Sequence, residues 1–282
     1  METPRARSLL QYWRHPCLAD GQFEPLGWYE LAGWVGVMLV LSFIASGIGA
    51  AVLHLSGHAL PPDTFILRIA RHPSWRFAAL LLIAPVLEEW TFRAFMTRGP
   101  RMMTAGIGFL GTVVLGLIVH ALRGSPVMQQ HDIARAYLLN VLVIMPVAGV
   151  FAALAWWLRR RWQPLLLLHA PWAIVLATLL FAGVHEFNFD LGAKIWLLWL
   201  TLPQLMAGIV LVYVRVRHGL RWSIALHLAF DWLLMCVAWT TFAAKTHSGV
   251  FEVAAVLARL LLLGALLWGL VSLFRRGVLR PA

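Results

Sequence analysis

Long apolar runs, separated by short polar connections, dominate the pattern of residues along the chain. Eight of these runs are long enough to cross a membrane as helices, because about 20 apolar residues span a hydrocarbon core of roughly 30 Å. The predicted spans are residues 28-53, 75-97, 102-121, 136-158, 165-185, 191-214, 219-244 and 250-274. This pattern predicts an all-α, polytopic integral membrane protein with about eight transmembrane helices.

Composition supports the same fold class. Of the 282 residues, 61% are hydrophobic and only 12% are charged, which is too apolar for the surface of a soluble domain of this size. We expect one membrane-embedded domain at 28-274, preceded by a cytoplasmic N-terminal segment at 1-27 and followed by a cytoplasmic tail at 275-282. The chain has no internal repeat.

The formal charge of +11 comes from arginines at the ends of the apolar runs and not from one basic face, which argues against nucleic acid as a partner. The positive-inside rule then places both termini in the cytoplasm. Arginine outnumbers lysine by 21 to 2, a bias typical of GC-rich bacteria, so we expect a bacterial inner membrane. Fourteen arginines fall on the predicted cytoplasmic side and seven Lys or Arg residues on the other: Arg5, Arg7, Arg14, Arg98, Arg101, Arg159, Arg160, Arg161, Arg215, Arg217, Arg221, Arg275, Arg276 and Arg280, against Arg68, Arg71, Arg76, Arg123, Arg135, Lys194 and Lys245.

The second span contains two adjacent carboxylates, Glu88 and Glu89. Adjacent residues point about 100° apart on a helix, so the two side chains serve different tasks. Glu89 precedes Arg93 by four residues and can pair with it, which leaves Glu88 free to act as a general base or acid. The alternative is that both glutamates only mark a helix end near arginines.

The fifth and seventh spans carry the other buried ionisable groups. Phe181 and His185 share one face at the end of the fifth span, and His227 and Asp231 share one face of the seventh. A carboxylate one turn from an imidazole can fix its tautomer or its charge. The alternatives are an ordinary interfacial histidine at 185, with Glu186 as its partner or as part of the loop, and a purely structural pair at 227 and 231.

Together, the ordered motifs E-E-x-x-x-R, F-x-x-x-H and H-x-x-x-D resemble those of the CPBP family of intramembrane proteases. That family includes the type II CAAX prenyl endopeptidases and the Abi bacteriocin-immunity proteins. The resemblance extends to Gly208 and to residues 219–223, which are similar to the family's glycines and small-residue turn before the last histidine. It covers the second, fifth, sixth and seventh predicted spans.

The resemblance implies a role for each motif residue. Glu88 and His185 would activate the water that attacks the scissile carbonyl, and His227 with Asp231 would stabilise the oxyanion. Glu89, Arg93 and Phe181 would support the site. Well-known members have Asn where this chain has Asp231, and an ionised Asp cannot donate to an oxyanion. We therefore expect Asp231 either to orient and charge His227 or to be protonated.

The cofactor requirement stays open at the level of sequence. Glu88, His185 and His227 form a ligand set that can hold a divalent metal such as zinc, but the same residues also support a metal-free glutamate mechanism, which we favour slightly. No H-E-x-x-H zinc motif occurs in the chain. The expected substrate is a peptide or a membrane protein in the lipid bilayer, cleaved near the membrane surface.

Two other functions fit the same pattern. A non-catalytic immunity or scaffold protein would keep every motif position, and a proton-coupled transporter would use Glu88, His185 and His227 as a relay. Transporters of this kind are commonly built from repeats, which are absent here. The 97 positions between Glu88 and His185 exceed the spacing usual in relatives, and the third and fourth spans account for the excess.

Overall fold

A computed structural model describes residues 8–58, 75–123, 133–185, 195–246 and 250–275. Within these ranges a short helix, α1 (Leu9–Arg14), precedes eight helices of at least 15 residues, and there is no β-strand. The eight are α2 (Trp28–Leu55), α3 (Trp75–Arg93), α4 (Pro100–Arg123), α5 (Ile133–Leu168), α6 (Ala170–Val184), α7 (Leu202–His218), α8 (Leu220–Thr246) and α9 (Val250–Arg275). A 3₁₀ helix, Ile195–Thr201, leads into α7.

The predicted all-α, polytopic membrane fold is confirmed. Within the described residues, five stretches of helix are long and apolar enough to cross a membrane: Trp28–Leu55, Leu142–Leu168, Leu198–His218, Leu220–Thr241 and Glu252–Ser272. Helix α6 is also apolar, but its 15 residues extend only about 22 Å, which is less than the hydrocarbon core.

One predicted boundary is wrong. The sequence suggested a connection at residues 159–164, but helix α5 continues through Arg159, Arg160 and Arg161 to Leu168. Arginine and tryptophan are compatible with a helix, and Pro164 removes one hydrogen bond without ending it. Helical hydrogen bonds also cross the single break at His169, where its N–H donates to Leu165 O at 2.9 Å and its carbonyl accepts from Ala173 N at 3.1 Å.

Helix α7 lies at the centre of the bundle, against α2, α6 and α8. Its apolar residues Val210, Leu211, Val212 and Val214 are fully buried. A single residue, Gly219, connects α7 to α8 with a φ of 96°, a left-handed conformation that glycine adopts without steric cost. This tight connection fixes the start of α8, and with it His227, relative to α7.

The described part of the N-terminal segment packs on α7 and on the residues that follow α3. Trp13 donates from its ring N–H to Ile209 O at 3.2 Å, and Glu24 pairs with Arg217 at 2.7 Å. Ala19 bridges to the residues after α3, because its N–H donates to Met96 O at 3.2 Å. Residues 1–7, Glu186 and the predicted tail at 276–282 lie outside the described residues.

Helices α2 and α9 touch backbone to backbone. A Cβ placed on Gly36 would lie 2.3 Å from Ala265 O, and one on Gly269 would lie 2.1 Å from the carbonyl carbon of Gly36. Small residues permit such close approach between membrane helices, where dispersion contacts replace the hydrophobic effect as the driving force. The two glycines therefore set the distance between the first and last long helices of the described chain.

We expect Gly36→Ala to lower the thermal unfolding midpoint in detergent, because the added methyl group forces the two backbones apart at a cost of about 1–3 kcal/mol. The matched control is Gly47→Ala in the same helix, where nothing lies within 4 Å of the added Cβ. That control should leave the midpoint unchanged or raise it, since alanine favours helix over glycine. Equal midpoints for the two variants would contradict the assigned contact.

Candidate active site

The structure brings the three predicted motifs together where α3, α6 and α8 meet. Glu88 is the central carboxylate: its Oε2 lies 4.0 Å from His185 Nε2 and 3.6 Å from His227 Nε2. Asp231, one turn along α8, places Oδ2 3.7 Å from His227 Nε2. Residues separated by more than 90 positions in the sequence thus face one small volume.

Glu89 is a completely buried carboxylate with three donors. Its Oε1 lies 2.5 Å from Arg93 Nη1 and accepts from His227 Nδ1 at 3.0 Å, and its Oε2 accepts from the Ser223 hydroxyl. A buried carboxylate is tolerated when it is ionised, paired and fully hydrogen-bonded in this way. Glu89 therefore connects α3 to α8. The sequence predicted its pairing with Arg93 but not its contacts with Ser223 and His227.

Both ring nitrogens of His227 face carboxylates. Nδ1 donates to Glu89 at 3.0 Å, and Nε2 lies 3.6 Å from Glu88 and 3.7 Å from Asp231. An ionised carboxylate only accepts hydrogen bonds, so the arrangement favours a ring that carries a proton on each nitrogen. In that form His227 presents a positively charged N–H toward Glu88.

His185 differs from His227 at Nε2, the atom of each ring that faces Glu88, because Nε2 of His185 is an acceptor and not a donor. Its Nδ1 lies 2.7 Å from Phe181 O, and a carbonyl oxygen can only accept, so Nδ1 donates there. A neutral His185 then carries its lone pair on Nε2, the atom that faces Glu88. The F-x-x-x-H spacing produces this contact, because residues four apart lie on one face of α6.

The Phe181 ring lies between the Arg93 guanidinium and the rings of His185 and His227. The Arg93 guanidinium carbon lies 4.2 Å from the centre of the Phe181 ring, a cation–π contact, and two of its nitrogens, Nε and Nη2, have no hydrogen-bond partner among the described residues. Gly208 of α7 makes room for this arrangement, since a Cβ there would lie 3.1 Å from the Phe181 ring.

Exposure divides the site into a closed half and an open half. Glu89 and Arg93 are 0% and 1% exposed, whereas the side chains of Glu88 and Asp231 are 28% and 31% exposed. His185 is 17% exposed. Glu88, His185 and Asp231 therefore lie on the open side of the site, and Glu89 and Arg93 lie in its interior.

The described residues contain no group of three or more His, Cys, Asp or Glu side chains arranged to hold a metal ion. Within the predicted ligand set, Glu88 lies 4.0 and 3.6 Å from the two histidines, and His227 Nε2 faces Glu88 and Asp231. When His227 carries a proton on both ring nitrogens it has no lone pair for a metal ion, so in that form the set does not fit a metal centre.

A comparison with known families identifies the chain. The sequence profile of the Rce1-like type II CAAX prenyl endopeptidases matches residues 70–233, which is more than half of the chain and includes every predicted site residue. The chain belongs to this family. As a member of the type II CAAX endopeptidase family it is a peptidase of the membrane, in agreement with the resemblance of its motifs. No curated protein and no solved structure matches the chain.

Sequence reasoning missed two residues that this endopeptidase places against the motif residues. Ser223 is completely buried, and its hydroxyl contacts both Glu89 and Leu211 O, the latter at 3.1 Å. Its position one turn before His227 was a usable signal. Arg215 is also completely buried, although it was counted among the cytoplasmic connection residues. That assignment is wrong, because Arg215 lies inside α7.

We expect Ser223→Ala to lower kcat about tenfold, because hydrogen bonds to charged groups contribute about 1.5–3 kcal/mol and this one orients Glu89. The measurement is the rate of peptide cleavage by the purified enzyme. Thr240→Val is the matched control, since Thr240 is a buried hydroxyl in α8 that, among the described residues, bonds to carbonyls of its own helix. A tenfold loss in both variants would show that Ser223 has no special relation to Glu89.

Proposed function

We propose that the chain is an intramembrane endopeptidase in which Glu88 acts as the general base, His185 orients the attacking water, and His227 stabilises the oxyanion. The observation that supports this most strongly is the convergence of two chemically different histidines on one half-exposed carboxylate. One histidine offers a lone pair and the other a positively charged N–H. Beside a general base, peptide hydrolysis uses an acceptor that orients the attacking water and a donor that stabilises the oxyanion.

The reaction begins with a water molecule between Glu88 and His185. Glu88 takes one proton from the water while the lone pair on His185 Nε2 accepts a hydrogen bond from the other hydrogen. The water oxygen bonds to the carbonyl carbon of the scissile peptide, and the C=O electron pair moves onto the carbonyl oxygen. A positioned general base of this kind contributes about 10²- to 10⁴-fold in rate.

The resulting oxyanion accepts a hydrogen bond from His227 Nε2. One such donor is typically worth about 10²- to 10³-fold in kcat. Collapse of the tetrahedral intermediate breaks the C–N bond, and the proton held by Glu88 passes to the departing amine. One water is consumed, and the products are a carboxylic acid, which keeps the second hydrogen of the water, and an amine.

Glu89, Arg93 and Phe181 support this chemistry without touching the substrate. Glu89 holds the Nδ1–H of His227, so that Nε2 points at the reacting volume. Arg93 offsets the charge of Glu89, and Phe181 separates Arg93 from His185. No step of the proposed reaction uses a metal ion.

The site lies close to the end of the bundle that carries Arg98, Arg101 and Arg221. Glu88 precedes the end of α3 by five residues and His227 follows the start of α8 by seven, which are distances of roughly 8 and 10 Å along the helices. The positive-inside rule makes this the cytoplasmic end, in what we propose is a bacterial inner membrane. Cleavage would occur near the cytoplasmic surface of the membrane.

The first test compares purified wild type with Glu88→Ala and His185→Ala in detergent, using a peptide library read by mass spectrometry. The library includes a farnesylated CAAX peptide, the substrate class for which the family is named. We expect wild type to cleave at least one peptide, Glu88→Ala to lose at least 10²-fold in kcat, and His185→Ala to lose activity as well. Retention of cleavage by Glu88→Ala would contradict the proposed base.

The same assay with and without a chelator decides whether a metal takes part. The metal-free reaction predicts equal rates, whereas loss of activity on chelation and recovery with zinc would replace it with a metalloprotease mechanism. Silence of the wild type over the whole library would favour the non-catalytic immunity or scaffold function. Proton flux in reconstituted vesicles would favour the transporter.

We expect Asp231→Asn to lower kcat by about tenfold while the thermal unfolding midpoint stays within a few degrees of wild type. The reason is that an ionised Asp231, 3.7 Å from His227 Nε2, stabilises the positive charge that the oxyanion needs. Asparagine keeps the shape and removes the charge. Full activity of Asp231→Asn would indicate instead that Asp231 is protonated in the working enzyme.

A further inference from the structure

Arg215 is a buried cation that the reaction described above does not use. It lies in the last turn of α7 and is completely buried, and no carboxylate forms an ion pair with it among the described residues. Removing a guanidinium from water is costly unless its N–H groups find partners. Its partners therefore indicate what the residue does.

One of those partners belongs to the helix that carries the proposed base, and the other belongs to α4. Arg215 Nε donates to Arg93 O at 3.1 Å, and Nη2 approaches the Met102 sulfur of α4 at 3.3 Å. Nη1 has no partner among the described residues. Arg93 is the last residue of α3, where main-chain carbonyls lack partners within the helix and attract positive charge.

The N-terminal segment also contacts the Arg215 guanidinium. The Phe23 ring of the N-terminal segment lies with its centre 5.6 Å from the Arg215 guanidinium carbon, and it packs on Gly219 at the connection between α7 and α8. Arg215 is thus held at the junction of α3, α4 and α7. The carbonyl of Arg93 accepts from it and also from Met96 N at 3.1 Å.

We infer that Arg215 is a positioning residue, which fixes the C-terminal turn of α3 and through it keeps Glu88 and Glu89 in register with His227. This inference rests on the proposed function for its catalytic consequence. The mechanical part, that Arg215 holds the end of α3, stands on the hydrogen bond to Arg93 O. Since Arg215 touches no reacting atom, its loss changes the rate of the chemical step and leaves peptide binding intact.

The test uses Arg215→Met, which keeps an unbranched apolar stem and removes the guanidinium donors, with Arg215→Lys as the conservative variant. Arg221→Met is the control, because it also removes one positive charge beside the α7–α8 connection but from an exposed side chain. Two quantities are measured: kcat and KM for the library peptide that wild type cleaves fastest, and amide hydrogen exchange of residues 94–98.

We expect Arg215→Met to lose at least tenfold in kcat with KM within twofold of wild type, and to exchange faster at residues 94–98. Arg215→Lys should recover most of kcat, and Arg221→Met should match wild type in both measurements. Unchanged exchange in Arg215→Met overturns the inference whatever the activity, as does faster exchange with an unchanged kcat.

Failure of the proposed function would be visible separately. If Glu88→Ala cleaves as fast as wild type, the proposed base is wrong, but the exchange of residues 94–98 still decides whether Arg215 holds α3. If Arg215→Met does not fold, Arg215→Lys is measured in its place. The inference is then overturned if Arg215→Lys loses tenfold in kcat while residues 94–98 exchange at the wild-type rate.

Discussion

The buried carboxylate of Glu89 is the interaction on which the arrangement of the site depends. It accepts from Arg93 in its own helix and from Ser223 and His227 in α8. Breaking a buried ionic network by removing one partner typically costs about 3–5 kcal/mol, because the remaining charge is left without a partner. Two helices far apart in sequence are therefore joined by a contact that tolerates little displacement, and His227 receives its orientation from it.

Burial of Glu89 also explains how two neighbouring glutamates differ. On a helix their side chains diverge by about 100°, so one points into the closed layer of Arg93 and Phe181 and the other toward the half-exposed volume between the histidines. Glu88 keeps an oxygen within 4.0 Å of both histidines and has no arginine contact within the described chain. The proposed division of tasks between a supporting carboxylate, Glu89, and a reacting carboxylate, Glu88, follows from helix geometry.

Much of this was predictable from the sequence. Apolar runs of about 20 residues predicted the helices, and the high cost of placing charge in a membrane drew attention to Glu88, His185 and His227. Spacing of four residues predicted the pairing of Glu89 with Arg93. The prediction failed for arginines, which occur both at membrane interfaces and inside helices. The sequence pattern predicts an interfacial charge at Arg215, which is instead buried in α7. It predicts a loop at the arginines after Trp157, which instead continue α5.

The remaining features depend on contacts between distant segments. The position of Ser223 one turn before His227 places both residues on one face of α8, but the contact of its hydroxyl with Glu89 requires α3 and α8 to be neighbours. The same holds for His227, whose two ring nitrogens face carboxylates on two helices. A sequence pattern shows which residues share one face of a helix. Which other helix packs against that face depends on the packing of the whole bundle.

The most direct test of this account is a comparison of Glu88→Gln with Glu89→Gln, measuring both kcat and the thermal unfolding midpoint of each variant. The two changes are chemically identical and adjacent in the chain. The account predicts that Glu88→Gln abolishes cleavage and leaves the midpoint near that of wild type, whereas Glu89→Gln lowers the midpoint by several degrees. Equal effects of the two variants on both quantities would contradict the division of roles between the two glutamates.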